Sequence, residues 1–417
     1  MTASSSGQLK SLRRLLGVIL ECNPFQQAKL ARGGLAEDFE SVENFIARCS
    51  FTTKDELTQD RLENPPYGTN LSYPLERYVR FHQTSGTKGE PMTWLDASED
   101  WDWMLGNWDR VLEVAGVEPG ACCYFAFSFG PFLGFWTAFE AAAKRGCRCL
   151  PGGGLGSEQR LRALLDHEGE YLFCTPTYAM RLAEIALERN INLAASEVRK
   201  IIVAGESGGS SPETRRRIRE VWGGAEVFDH YGMTEVGPVA YETPGGEGGL
   251  RVILDSFLAE VVCPESGEPV ADGESGELVL TSLGRAGCPV LRYRTGDLVL
   301  PCWGEDDAGQ PTLDLIGGIL GRVDDMVVVR GVNLYPAAVD AVVRRFGEVA
   351  EYQVVVDETA AMTEVTLKVE TTPEVAQTLE KALTDAFSLR IPVEPVEPGT
   401  LPRFEMKARR WIRQGSE

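Results

Sequence analysis

YLFCTPTYAMRLAEIALERNINLAASEVRKIIVAGESGGSSPETRRRIREVW, residues 171–222, is the stretch that decides the fold. Two short apolar runs, 171–174 and 200–204, are each followed by a segment with helical spacing, 178–188 and 212–222. Short continuous apolar runs bounded by Pro, Gly and Ser suit strands that are covered on both faces. A strand, a helix, a second strand and a second helix in succession give a mostly parallel sheet with helices packed on it. The same alternation extends upstream: helix over 101–114, buried strand over 121–129, helix over 137–145, short strand over 147–150 and helix over 157–165. Downstream the helical signal fades between 260 and 300, and GELVLTS (276–282) alternates with period two, which predicts an antiparallel portion. Past a Gly-rich boundary at 317–321 come a strand (326–329), a helix (337–346), strands (351–356 and 364–369) and a helix (373–388). The expected architecture is α/β: a large domain over 1–320 and a small, mobile α+β domain over 321–417.

Composition agrees. With 43% hydrophobic and 25% charged residues, the chain has enough apolar material for a core and is not a disordered one. Its length of 417 residues allows two or three domains. A formal net charge of −21 argues against nucleic acid or an anionic membrane as partner, so an anionic ligand needs a local positive site. The 10 cysteines are scattered without a CxxC pair, which suits small buried hydrophobes in a reducing, cytoplasmic setting. Lys10, Arg13 and Arg14 precede the apolar run 15–20, but Glu21 ends it, which predicts an amphipathic helix and not a signal peptide. No run approaches the ~20 apolar residues of a membrane span.

Five segments carry chemistry. Residues 83–91, QTSGTKGEP, form a loop rich in glycine and hydroxyls whose backbone N–H groups can wrap oxyanions, although no Walker motif is present. Residues 229–235, DHYGMTE, follow the apolar pair Val227-Phe228; a carboxylate beyond a strand end can ligate magnesium, and a Tyr-Gly pair lets a ring lie on open backbone. In residues 293–299, YRTGDLV, an Asp after a glycine turn can accept two ribose hydroxyls. The last two are GRVDD (321–325) with VRGVNLYP (329–336), and the basic PRFEMKARR (402–410). Singly, each is equally readable as a turn, a cap or a solvated tail.

In this order and spacing the five segments resemble the adenylate-forming acyl- and aryl-CoA ligase superfamily, and most of all its phenylacetate–CoA ligase branch. The resemblance spans roughly residues 70–410. It implies ATP, Mg²⁺, a small carboxylic acid and coenzyme A as ligands: an acyl-AMP forms first, and the acyl group then passes to a thiol. It assigns Thr84, Ser85, Gly86, Thr87, Lys88 and Gly89 to the ATP phosphates. Gly205, Glu206, Ser207, Asp229, His230, Tyr231, Gly232 and Thr234 would frame the adenine. Asp297 would take the ribose, Arg322 the ribose or a phosphate, and Glu235 the magnesium. Asp324 would be the hinge, Lys407 the catalytic lysine of adenylation, and Arg330 and Gly331 the side facing CoA. Lys88 stands where the family usually has Thr or Ser, and Met406 where it often has Gly. Some relatives hold a structural zinc; here Cys302 is the sole remaining ligand, and no zinc is expected.

Residues 125–136, FAFSFGPFLGFW, are dense in aromatics. The resemblance places the acid pocket at Phe129, Phe132, Phe135 and Trp136, with Ala204, Met233 and Pro238, and an aromatic lining suits a flat aryl acid. A carrier-protein thiol in place of CoA, and a homodimer, stay open. Two rival classes exist. Gly205-Glu206-Ser207-Gly208-Gly209 matches the nucleophile elbow of a serine hydrolase, but its histidine and acid could only be the adjacent His230 and Asp229, which point to opposite faces of a strand. A degenerate binding protein on the same fold is the other; the intact Glu235, Asp297 and Lys407 argue against it.

Overall fold

The computed structural model describes residues 6–35, 39–84, 91–245, 248–329, 332–357, 363–404 and 408–414. Residues 171–222 fold as two strand–helix units: Tyr171–Cys174 into Pro176–Glu188, and Lys200–Val203 into Pro212–Val221. Each helix starts in the same way. The hydroxyl of Thr175 or Ser211 accepts an N–H of the first turn, and a proline occupies the first helical position, where its missing N–H costs nothing.

Five parallel strands run side by side: Glu226–Met233, Lys200–Val203, Tyr171–Cys174, Cys122–Phe125 and Arg148–Pro151. Their side chains alternate between two cores. Cys123, Phe125, Phe173, Ile202 and Phe228 face one side, where the helices Ser98–Val114 and Gly134–Arg145 pack. Tyr124, Leu172, Cys174, Ile201 and Val203 face the other, under the helices Ser157–Asp166, Pro176–Glu188 and Pro212–Val221. Burial on both faces is why these strands are apolar throughout.

The antiparallel portion is larger than the sequence predicts. Gly237–Glu242, Gly249–Val252, Pro311–Ile316 and Pro301–Glu305 extend the parallel strands to a nine-stranded mixed sheet. A second, four-stranded antiparallel sheet holds Phe257–Val262, Gly276–Ser282, Tyr293–Val299 and Gly321–Arg322. The N-terminal amphipathic helix is Ser6–Cys22; its Leu12, Leu15, Leu16 and Ile19 pack against Leu258, Leu283 and Leu291 of that region. Among the described residues, no helix is long and apolar enough to cross a membrane.

Two expected strand limits move. The strand expected over 121–129 ends at Phe125, because Ser128, Gly130 and Pro131 break the run into a packed loop. The strand expected to stop at Phe228 continues to Met233, because its polar second half pairs with Gly237–Glu242.

The C-terminal residues form a unit with its own core, drawn from residues 327–411. It contains the hairpin Val327–Val329/Val332–Leu334 and a sheet in the order Val393–Val396, Glu364–Glu370, Tyr352–Asp357, Trp411–Gln414. The helices Pro336–Val343 and Pro373–Phe387 contribute Val339, Val342, Leu379 and Leu383 to that core. The chain leaves the large unit's second sheet at Arg322 and enters the small unit at Val327, so residues 323–326 are the link.

Candidate active site

The centre of the site is Asp297, on the strand Tyr293–Val299. The Tyr231 hydroxyl donates to its Oδ2 at 2.6 Å, and Arg322 Nη1 donates to its Oδ1 at 2.9 Å. Asp297 and Arg322 sit opposite each other on paired antiparallel strands, which fixes the contact. Gly296 makes it possible: its φ is +75°, and a Cβ there would stand 2.7 Å from Arg322 Nη2. Burial, and then the neighbouring Asp297 carboxylate, push the Tyr231 hydroxyl well above its ordinary pKa, so it stays a neutral donor. Burial works against the Arg322 charge, but Asp297 and Asp324 more than offset it and raise its pKa. Arg322 Nε also donates to Asp324 Oδ1 at 3.1 Å, which ties the centre to the link.

Glu235 lies buried in the turn between Glu226–Met233 and Gly237–Glu242, and its burial raises its carboxyl pKa. Among the described residues no cation stands within ion-pair distance of it. The turn is held from outside. Arg285, fully buried, donates to the Thr234 carbonyl at 2.7 Å and makes a bidentate pair with Asp96 at 2.6 and 3.0 Å.

Residues 205–210 form the turn after Lys200–Val203. Asp229 lies beneath it, within its strand and not beyond the strand's end. Ser210 Oγ donates to Asp229 Oδ2 at 2.6 Å, and the Asp229 N–H donates to Glu242 Oε2 at 2.9 Å. A Cβ on Gly209 would stand 2.2 Å from Asp229 Oδ1, so only glycine allows this approach. Burial pushes the Asp229 carboxyl up to about 7. Asp229 thus supports the turn from below. On the turn itself Glu206 accepts from Thr177 N at 2.7 Å and from Ala408 N, in the small unit, at 3.0 Å.

His230 points to the opposite face of the sheet. Its ring centroid is 4.1 Å from that of Trp108; burial pulls its pKa down to about 3, and its Nδ1 has no hydrogen-bond partner among the described residues. The hydrolase relay therefore does not exist: Ser207 is exposed on the turn, Asp229 is engaged by Ser210, and His230 lies across the sheet.

Trp108 connects His230 to the aromatic segment. Trp108 lies 6.4 Å from Phe135, Phe135 lies 4.6 Å from Phe127, and Phe129 lies 4.7 Å from Trp136, centroid to centroid. Of the expected acid-pocket residues, Phe129, Phe135, Trp136 and Ala204 belong to this cluster. Met233 packs on a different core, Phe132 is not part of the cluster among the described residues, and the Pro238 carbonyl accepts from Asn107 at 3.4 Å. Phe127, which the sequence reads as core, joins the cluster, as do Trp108 and Phe173, which were not singled out in the sequence. The helical spacing of Trp101, Met104, Leu105 and Trp108 was the available signal for Trp108.

Thr84 closes the mouth of the glycine-rich loop: its N–H donates to the Met92 carbonyl and its Oγ1 accepts from Met92 N, both at 2.9 Å. Ser85, Gly86, Thr87, Lys88, Gly89, Arg330, Gly331 and Lys407 lie outside the described residues. The basic 402–410 cluster is largely spent on internal pairs. Arg403 is bidentate to Glu370 at 2.9 and 2.6 Å, and Arg410 to Glu351 at 2.7 and 3.1 Å.

Two family models match, one described as AMP-binding enzyme over residues 106–286 and one as AMP-binding enzyme C-terminal domain over residues 331–414. The chain is 32% identical to phenylacetate-coenzyme A ligase of Thermus thermophilus, over 87% of its own length and 80% of the relative's. With the phenylacetate-coenzyme A ligase of Escherichia coli the identity is 30%, covering 96% of this chain and 92% of the relative.

The chain belongs to the phenylacetate–CoA ligase family.

As a member of that family it is an AMP-forming acid–thiol ligase: it makes an acyl-AMP from a carboxylic acid and ATP, then passes the acyl group to CoA. The structure also matches 2-hydroxyisobutyryl-CoA ligase, at 28% identity. Against that enzyme in its postadenylation state with 2-HIB-AMP the TM-score is 0.91, covering 98% of this chain and 89% of that one. Against the same enzyme with 2-HIB-AMP and CoA in the thioesterification state it falls to 0.71, covering 99% and 91%. The two units of this ligase thus sit as in the former state. Between them runs a small cavity of about 110 Å³, lined by Thr177, Glu206 and Arg217 on one side and Asp340, Tyr352 and Arg410 on the other.

Proposed function

We propose that the acid is an aryl acid, and that the large unit holds the adenylate while the small unit changes position between the two half-reactions. The observation that carries the acid class is the continuous aromatic wall from Trp136 and Phe129 through Phe127 and Phe135 to Trp108 and His230. Flat rings gain contact area and favourable ring–ring geometry against such a wall. The name of the curated relatives points the same way.

In the first half-reaction the acid's carboxylate attacks the α-phosphorus of ATP and pyrophosphate leaves. Both reactants are anionic, so positioning and charge neutralisation dominate the barrier. Asp297, oriented by Tyr231 and Arg322, accepts the ribose hydroxyls. The Tyr231 ring lies on the adenine, and the glycine-rich loop past Thr84 takes the phosphates. Glu235 would hold magnesium, which supplies positive charge against the leaving pyrophosphate. Lys407 meets the charge that develops between carboxylate and phosphate. For thioester formation the small unit turns about residues 323–326, with Asp324 as the hinge and Arg330 and Gly331 brought to the CoA side. Asp229 and His230 keep no direct nucleotide role here: one supports the 205–210 turn, the other walls the acid pocket.

The test is a panel of acids incubated with ATP and CoA and read by mass spectrometry. Phenylacetate, benzoate and hydroxybenzoates are set against 2-hydroxyisobutyrate. An aryl-CoA is the expected dominant product; faster turnover of the branched aliphatic acid than of every aryl acid would overturn the acid class.

A further inference from the structure

We propose that Glu206 is a positioning residue that holds Ala408, next to Lys407 in sequence, in place for adenylation and lets go for the second half-reaction. The proposal rests on the reading of Lys407 given above. Glu206 is the residue of the 205–210 turn whose carboxylate joins both units: one oxygen accepts Thr177 N at 2.7 Å and the other accepts Ala408 N at 3.0 Å.

The first of these bonds aims the second. Thr177 is in the first turn of the helix Pro176–Glu188, where the N–H groups have no intrahelical acceptor and the helix dipole favours an anion. Thr175 already satisfies Tyr178 N, so Glu206 supplies the acceptor for Thr177. Asp229 and Ser210 hold the turn that carries Glu206 from beneath. A carboxylate pinned at one oxygen presents the other in a fixed direction, towards the small unit.

What it meets there is a backbone N–H adjacent to the lysine. Consecutive Cα atoms are ~3.8 Å apart, so fixing Ala408 confines where Lys407 can start. On its other side Ala408 leads into Arg410, which is buried against Glu351 and whose carbonyl accepts Val354 N at 2.7 Å. Ala408 is therefore held from the small unit by its own sheet and from the large unit by one carboxylate. Further polar contacts between the units among the described residues are longer: Arg217 Nη2 to the carbonyls of Gly347 and Val349 at 3.4 and 3.2 Å, and the pairs Arg345–Glu213 and Arg403–Glu184 at 3.7 Å each. When the small unit turns, Ala408 N leaves its acceptor and the freed oxygen returns to water. The bond thus favours one of the two arrangements.

The experiment measures both half-reactions of Glu206→Ala and Glu206→Gln: acid-dependent pyrophosphate–ATP exchange, and conversion of synthetic acyl-AMP and CoA to thioester. The ratio of the first rate to the second should fall about tenfold for Glu206→Ala, the order expected for one hydrogen bond to a charged acceptor. It should fall less for Glu206→Gln, which keeps one acceptor oxygen. In a Lys407→Ala background Glu206→Ala should cost nothing further in exchange, because it acts through that lysine. Equal losses in both half-reactions with a lowered Tm would mean that Glu206 only braces the fold. A raised KM for ATP with kcat unchanged would mean a plain nucleotide contact. The same fold-loss in both backgrounds would mean that it acts independently of Lys407. Each of these overturns the proposal. Normal exchange by Lys407→Ala alone would instead show that the reading of the lysine itself is at fault.

Discussion

Around Asp297 the hydrogen bonds stay within one unit. Asp297 and Arg322 face each other on paired strands of the second sheet, and Tyr231 reaches Asp297 from the nine-stranded sheet of the same unit. Around Ala408 the contacts cross between units, and they are few, polar and partly exposed; the apolar core of the small unit is drawn entirely from its own residues. Buried apolar area dominates the cohesion of packed units, whereas exposed ion pairs contribute ~0–1 kcal/mol each. On the reading proposed above, the surface that serves both reactions is held by contacts within one unit, and the piece that serves them differently is attached through a few polar contacts. This chain matches two states of one relative with TM-scores of 0.91 and 0.71, the difference expected of two arrangements of the units.

That contrast makes variants of the two regions fail differently. Asp297→Asn keeps the shape and removes the charge that Arg322 and Tyr231 share. Hydrogen bonds to charged groups are worth about 1.5–3 kcal/mol, so kcat/KM should fall ~10- to 100-fold. If the large unit holds the adenylate in both, as proposed, both half-reactions should fall together. Loss confined to one of them, measured by exchange and by thioester formation from acyl-AMP, would break the contrast.

A smaller and one-sided effect is expected at the link. Asp324 lies between Arg322, still paired in the large unit's sheet, and Val327, the first residue of the small unit's hairpin. Proline fixes φ near −65°, so Asp324→Pro should slow thioester formation severalfold while leaving pyrophosphate exchange within about twofold of the parent. A larger loss in exchange than in thioester formation would move the hinge elsewhere.

Much of this was legible in the sequence, and the misses have physical causes. Asp297 and Arg322 were legible as candidates through the resemblance; the glycine before Asp297 reads locally as a turn ahead of a strand, yet Gly296 and Asp297 both lie inside the strand Tyr293–Val299. The aromatic wall was found only in part. Phe125, Phe127 and Phe129 alternate like a strand, yet only Phe125 is in one, because an apolar run has the same periodicity in a strand and in a packed loop. Trp108 was hidden among the core residues of an ordinary amphipathic helix. Strand alternation already separates Asp229 from His230 in the sequence; what it does not show is that one goes under the 205–210 turn and the other against Trp108. The strand Trp411–Gln414 was missed because the basic stretch before it looks like a tail or an anion site, and its pairing with Tyr352–Asp357 spans too much sequence to be read locally. The bond from Ala408 to Glu206, two separate segments meeting across the cleft, has no sequence signature at all.

The most direct test of the account is Lys407→Ala assayed in both half-reactions. Loss of one preorganised donor at developing charge typically costs ~10²–10³ in rate. The account predicts a loss of that size in acid-dependent pyrophosphate release, near-parental conversion of synthetic acyl-AMP and CoA to thioester, and an unchanged Tm. Pyrophosphate release at the parental rate, or an equal loss in both steps, would contradict it.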